Sequence, residues 1–480
     1  MLWRHLFGYL PASLASGLAS FAGVYVFTRL LGAADYGRYS LAQAAMNMIY
    51  TLVIVWAEAA AFRFAPEAQA AGRMPRHIRT MLAAALASGC LAALLLLGGL
   101  PVSDNAGFRM ALAAGALGLI LWPVVNLSQE LNRARQRVGR YAAVRMVQDI
   151  GAFLLGVVFA WRFGWGAAAP LAGLAAILMV LAATEGGALL RASRGGHFDR
   201  SLIPKYFAYG YPIALALLLH IALDSGDRFL IAAYLGAEEV GVYVSGYGVA
   251  DKTVGLMCLW AASAASPLMM RAFETGGGEA LRETSARCAA TLALIAAPAA
   301  TGIALVARPL ADIMIAEDMR ERAATIMPWI AFSGLLSGFA MHYASEAFQL
   351  ARRTGLRAAL TMIPVVLNLV LNAILLPRIG LMGAVYATLA CYVLALLLLG
   401  GVGRRLAPMS WPWGEFARIA LACAGMAGAV MLIPAFGGWG ELLLKAAIGA
   451  AVYAILAAAL DAAETRKQLT AVFARSAPRA

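Results

Sequence analysis

Charge is scarce in this chain: Asp, Glu, Lys and Arg make up 13% of its 480 residues, while 62% are hydrophobic. A soluble globular domain carries nearer a quarter charged residues, so that class is excluded and a polytopic membrane protein is expected. Cysteine is scarce as well. All five (Cys90, Cys258, Cys288, Cys391, Cys423) lie inside apolar runs without paired spacing, which supports neither a disulfide framework nor a metal site. No Gly-x-x-x-x-Gly-Lys-Ser/Thr pattern occurs, so ATP is not the expected energy source. Large loops are missing too. A membrane polymerase, ligase or glycosyltransferase would be expected to offer a large outer loop with catalytic acids and bases. The longest outer connection here runs only from about Ala307 to Arg322, and its charges (Asp312, Glu317, Asp318, Arg320, Glu321, Arg322) read as a solvated segment. No enzyme and no cofactor are expected.

What the chain has is long apolar runs. At about twenty apolar residues per crossing, fourteen spans are counted, near 10–31, 38–62, 79–100, 108–129, 143–163, 167–190, 207–234, 240–270, 285–306, 323–348, 358–377, 381–402, 415–435 and 440–461. Leu2 to Tyr9 reads as an interfacial lead-in, and the run after it is long enough to stay as an anchor rather than a cleaved signal. An even count places both termini on one side. That side receives 27 of the 38 Lys and Arg, including Arg63, Arg133, Arg145, Arg271, Arg353 and the tail residues Arg466, Lys467, Arg475 and Arg479. By the positive-inside rule the termini are expected in the cytoplasm. The net charge of +13 is thus spread over short loops, which fits anionic lipid headgroups and not a nucleic-acid face.

A short polar hinge occurs twice, as Arg29-Leu-Leu-Gly-Ala-Ala-Asp-Tyr-Gly-Arg-Tyr-Ser40 and Ala233-Tyr-Leu-Gly-Ala-Glu-Glu-Val-Gly-Val-Tyr243. Gly32/Gly236, Gly37/Gly241 and Tyr39/Tyr243 all align at an offset of 204, the mark of a duplicated unit. A second pair of segments, from Gln129-Glu130 to Gly139 and from Ser345-Glu346 to Gly355, aligns at 216, as do Arg162-Phe-Gly164 and Arg378-Ile-Gly380. The growth from 204 to 216 predicts extra residues after the second or third helix of the second copy. The expected organisation is an N-lobe over 1–200, a C-lobe over 201–405 in parallel topology, and two further helices with a basic tail over 406–480.

Ionisable side chains near mid-bilayer cost about 2.5 to 3.5 kcal/mol on insertion scales, so clusters of them face a cavity or each other. The seventh span carries His220, Asp224, Asp227 and Arg228 within an arc of about 100°. Two readings stay open: a structural Asp224/Arg228 pair, or a substrate or coupling-ion site. The eighth span adds Tyr243, Tyr247 and Asp251 at i, i+4, i+8, with Lys252 beside them. The offset of 204 maps these three onto Tyr39, Gln43 and Asn47, and His220 and Asp224 onto Ser16 and Ser20, so the first copy is polar where the second is charged. At the inner ends of the fourth and tenth spans Asn126/Glu130/Arg133 match His342/Glu346/Gln349; Glu130 and Glu346 read as gate contacts. Glu58, Gln148 and Asp149 are weaker candidates, and Asn368 and Asn372 read as interhelical hydrogen-bond groups. Trp161, Trp165, Trp411, Trp413 and Trp439 read as interfacial anchors.

The first hinge, the Asp227-Arg228-Phe-Leu-Ile…Leu235-Gly…Gly241-x-Tyr243 segment and the Glu130…Arg137-x-Gly139 and Glu346…Arg353-x-Gly355 segments resemble the Wzx-like polysaccharide-transporter family. That family belongs to the superfamily of multidrug, oligosaccharidyl-lipid and polysaccharide exporters. The resemblance implies a V-shaped, all-α, alternating-access transporter of two pseudo-symmetric six-helix bundles plus two C-terminal helices. It implies a monomer in the bacterial inner membrane that flips an undecaprenyl-diphosphate-linked oligosaccharide to the periplasmic leaflet, alongside a polymerase and glycosyltransferases. Within that reading Arg228 and Lys252 would meet the diphosphate, and Arg63 and Arg145 would receive it at the inner mouth. Asp224, Asp227 and Asp251 would limit affinity or take up H⁺ or Na⁺; His220, Tyr247, Gln43, Asn47 and Ser20 would line the cavity. A lipid-linked peptidoglycan precursor flippase and a multidrug/cation antiporter are the alternatives.

Overall fold

The computed structural model describes residues 2–465, with side chains from Gly17 onward apart from Val102 and Ala264. Ser16 and the basic residues Arg466, Lys467, Arg475 and Arg479 therefore lie outside the described side chains. Among the described residues all regular structure is helical, as a chain in hydrocarbon requires when its backbone groups must bond internally. Twelve helices are long and apolar enough to cross a membrane. Two of them are broken by a non-helical glycine, Leu2–Val53 at Gly32 and Ala237–Leu305 at Gly277. Fourteen segments result, and the sequence count holds.

They are named α1 (2–31), α2 (33–53, continuing as Val55–Ala70), α3 (Met74–Leu97), α4 (Ala106–Ala134), α5 (Val138–Phe163), α6 (Ala169–Ala192) and α7 (Leu202–Ser225, continuing as Asp227–Leu235). The remainder are α8 (237–276), α9 (278–305), α10 (Glu317–Phe339, continuing to Leu350), α11 (Thr354–Ile379), α12 (Leu381–Leu406), α13 (Trp413–Met431) and α14 (Gly438–Ala459). Large apolar side chains such as Leu94, Val180, Leu397 and Ile455 project outward along the spans, the surface expected against lipid rather than water. Trp161, Trp413 and Trp439 are exposed near span ends as anchors should be. Trp411 differs: its ring packs edge-on to Tyr343 at 5.0 Å, inside an aromatic cluster with Phe339 and Phe416.

The duplication is written in the backbone. Gly32 (φ 68°, ψ 173°) and Gly236 (φ 90°, ψ 172°) take the same conformation 204 residues apart, one that disfavours any side chain. At the offset of 216, Gln136 (φ 57°) and Arg352 (φ 54°) occupy the same left-handed position. The third helices of the two copies still start 204 apart, at residues 74 and 278. The extra residues thus enter after the third helix, where the second copy inserts the short helix Ala307–Met314. The segment read as an outer loop is therefore largely helical, and Arg320 joins its parts by pairing with Glu317 at 2.8 Å and Asp312 at 3.5 Å.

By packing, the chain divides into two compact units, Met1–Gly241 and Val242–Ala480. In the first, α3 lies on α4, α5 on α6, and α7 on α2; in the second, α11 and α10 pack on α12, and α13 on α14. The packing boundary falls later than the 200/201 division expected from the repeat, and α7 lies against α2 in the first unit. One core of the first unit gathers Trp56, Phe64, Ile78, Leu127 and Tyr206, and a second gathers Met46, Tyr50, Leu119 and Leu171.

Candidate functional site

The first unit places a cation, Arg228, beside two acids, Asp224 and Asp227, in the second half of α7. Gly226 interrupts α7, and the helix restarts at Asp227 and Arg228. Asp227 is buried and Arg228 is half-buried. The Arg228 Nη1 donates to the hydroxyl of buried Ser40 at 3.3 Å, across 188 residues of sequence. The Tyr36 and Tyr39 hydroxyls lie near enough to feel its charge, and Tyr39 is in turn hydrogen-bonded to Gln43. The Tyr36 and Tyr39 rings stand 6.0 Å apart. Ser40 and both tyrosines come from the first hinge and the turn after it, so the hinge that fixes the entry of α2 also supplies the polar wall around Arg228. Ser40 positions the guanidinium without neutralising it, because a hydroxyl carries no charge. One turn earlier on α7, His220 Nε2 approaches Asp224 Oδ2 at 3.6 Å, with both side chains more than a third exposed.

A second polar group lies farther along α2. The Tyr50 hydroxyl donates to Glu58, and Asn126 Nδ2 of α4 donates to the Tyr50 oxygen at 2.6 Å. Trp122 covers the Tyr50 ring at 4.8 Å. Tyr50 and Glu58 are eight residues apart, a rise of about 12 Å on a straight helix; the break at Ile54 (φ −112°) brings them together. The sequence marks Glu58 only weakly and Tyr50 not at all. The only sequence signal was the acid itself, in an apolar run.

At the arginine-rich ends, the remaining candidates are mostly paired. Arg145 Nε bonds Asp149 Oδ2 one turn along α5 at 3.0 Å, and Arg63 is exposed with its guanidinium 5.7 Å from the Phe64 ring. Glu130 pairs with Arg133 at 2.8 Å. In the second unit the equivalent Glu346 accepts from Gln349 at 2.9 Å and from Ser266 at 2.9 Å. The i, i+3 contact is thus kept in both copies, as an ion pair in one and a hydrogen bond from an amide in the other. Gln43, Asn47 and Ser20 are half-buried.

The α8 stripe runs from packed interior to exposed surface. Tyr243 is fully buried in the second unit, with its hydroxyl 3.5 Å from Thr388 of α12, and Tyr247 is buried against it with ring centroids 5.6 Å apart. Asp251 turns toward Gly334 of α10. Lys252 is exposed. Asn372 Nδ2 donates to the Asn368 carbonyl and side-chain oxygens at 2.9 and 3.1 Å; both amides are buried, and these contacts run one turn along α11 rather than between helices.

Among solved structures the chain is similar to a lipid II flippase MurJ in an inward closed conformation, with a TM-score of 0.79 at 12% identity over 95% of this chain and 99% of that one. It is also similar to a multidrug resistance MATE family transporter, inward-facing at a TM-score of 0.62 and 16% identity over 82% and 93% of the two chains. An outward-facing MATE structure gives 0.57 and 14% over 83% and 93%. These likenesses establish the shared fold. No curated protein matches by sequence. A family model described as polysaccharide biosynthesis protein matches residues 26–323, from inside α1 to the start of α10, so that both hinges and the Arg228 site fall within it: the chain belongs to the polysaccharide biosynthesis protein family.

Proposed function

We propose that this protein flips an undecaprenyl-diphosphate-linked oligosaccharide from the cytoplasmic to the periplasmic leaflet of the bacterial inner membrane, for exopolysaccharide, O-antigen or capsule synthesis. The polysaccharide family match and the flippase-type fold support it. The observation that carries it is Arg228, a guanidinium within an apolar helix that is held by a neutral hydroxyl. Lipid tails offer no reason to keep a cation at that depth, whereas a diphosphate crossing the bilayer needs one. Lys252, on α8, is the second basic side chain of this reading. Asp224 and Asp227 temper the Arg228 site so that the anion is released, and Asp224, Asp227 or Asp251 exchanges H⁺ or Na⁺ in an ion- or potential-coupled cycle. Both termini face the cytoplasm, and the protein acts as a monomer without catalysing a covalent step, passing its cargo to a polymerase.

The test is flipping of a fluorescent undecaprenyl-diphosphate oligosaccharide in proteoliposomes. Arg228→Gln is expected to slow it on the order of tenfold, with Arg228→Lys between the two. Normal rates in the Arg228→Gln/Lys252→Gln double variant would defeat the reading. A second reading, a peptidoglycan precursor flippase, is favoured by the length of the likeness to MurJ. Preferential flipping of lipid II in the same vesicles would select it.

A further inference from the structure

We propose that the cleft between the α2–α3 and α4–α5 turns binds the phosphate headgroup of an anionic membrane phospholipid through Arg135 and Arg137. The cleft is open, with a volume of about 750 Å³; beside the two arginines it is lined by Ala65, Pro66, Gln69, Ala70, Met74 and Ala134, and it has no carboxylate in its lining. Two arginines thus line one cleft, and no acid lines it with them. Arg135 and Arg137 are both solvent-exposed; partial desolvation of Arg135, and then the like charge of Arg137, hold it below the usual arginine range.

The repeat shows that the turn itself does not require this pair. Gln136 and Arg352 take the same left-handed conformation. The Arg137 amide donates to Asn132 at 2.8 Å and its counterpart Arg353 to Phe348 at 2.7 Å; the Gln136 and Arg352 amides both bond three residues back at 3.0 Å. Two copies therefore build one backbone, but position 135 is Arg in the first and Ala351 in the second. An arginine that its own duplicate replaces with alanine is not there to make the turn. Its planar fork, beside a second one, matches phosphate oxygens, and the apolar part of the lining matches the glycerol and upper acyl region of a lipid. The cleft lies at the arginine-rich ends of the spans, where anionic headgroups attract basic side chains. The assignment is independent of which lipid the protein transports.

Native mass spectrometry of the full-length protein in detergent tests it, with phosphatidylglycerol, phosphatidylcholine of the same chains, and inorganic pyrophosphate as probes. Wild type is expected to retain phosphatidylglycerol over phosphatidylcholine, and Arg135→Gln/Arg137→Gln to lose that preference by about tenfold or more. Arg135→Ala, which copies the residue the second turn already tolerates, should fold normally and lose part of the preference. Arg352→Gln/Arg353→Gln should keep it in full. Unchanged retention in the first double variant overturns the site. Equal displacement of phosphatidylglycerol by millimolar pyrophosphate overturns the lipid as its occupant in favour of a free anion.

Discussion

Gly37 and Gly241 interlock across the duplicated hinge. A methyl on Gly37 would stand 1.8 Å from the Ala237 carbonyl oxygen, and one on Gly241 2.0 Å from that of Ala33. The contacts are reciprocal because both residues and both carbonyls are related by the offset of 204. Neither obstacle is a flexible side chain, so the backbones must part to admit a Cβ. Gly37→Ala and Gly241→Ala are each expected to lower stability by about 1–3 kcal/mol, read as a drop in melting temperature of the purified protein. The double variant should cost less than the sum, since one separation relieves both clashes. Tolerance of either alanine within about 0.5 kcal/mol would contradict the geometry.

Tyr50 joins Glu58 to Asn126 through one hydroxyl. Tyr50→Phe keeps the ring against Trp122 but strips both partners of their shared atom, at a cost of about 1 kcal/mol where the surroundings are hydrocarbon. Tyr50→Phe and Glu58→Gln are expected to impair flipping in the same sense. Asn126→Leu should do so less, as it leaves the Tyr50–Glu58 contact in place. Flipping rates with parallel melting curves separate loss of the cluster from loss of the fold.

Hydrophobic runs and alternating basic loops made all fourteen spans legible, because crossing length and backbone satisfaction leave few alternatives. The hinge glycines were legible too, since Gly32 and Gly236 meet a backbone demand that a sequence offset can reveal. The polar contacts were less so. Arg145–Asp149 follows from helical spacing, but Arg228 finds Ser40 188 residues away, and Tyr50 reaches Glu58 only through the break at Ile54. No periodicity announces a kink between two helical stretches of ordinary composition. Tyr243 shows the converse: spacing placed it on a polar stripe, and packing against α12 buried it.

The α6–α7 connection is tied down by Asp199. Its carboxylate accepts the Ser201 amide at 3.0 Å and hydroxyl at 2.6 Å and pairs with Arg76, while its own amide donates to Thr80 at 3.0 Å. The Ser201 hydrogen bonds first, and the Arg76 charge after them, hold the Asp199 pKa below the usual carboxylate range. A depressed pKa contributes stability above the unfolded value, about 3.9, and that stability disappears as pH falls through the folded value. Asp199→Asn should therefore melt below wild type at pH 7, with the gap closing below about pH 4. Ser201→Ala should move the closing point upward. A gap that persists unchanged to pH 3 would show that the charge of Asp199 is not what holds the connection.

The turn into α14 depends on one acid. Glu441 is buried, accepts the Phe436 and Gly437 amides at 2.9 and 2.6 Å, and pairs with Lys445 at 2.5 Å. Removing one partner of a buried pair strands the other charge, at about 3 kcal/mol. Replacing both leaves no stranded charge, although the two amides still lose their acceptor. Glu441→Leu is thus expected to destabilise strongly and Lys445→Met less, because the carboxylate keeps its amide donors. The double variant should be no worse than Glu441→Leu alone. Melting of the three proteins side by side checks the order, and a double variant equal to the sum of the singles would mean that the two side chains act independently.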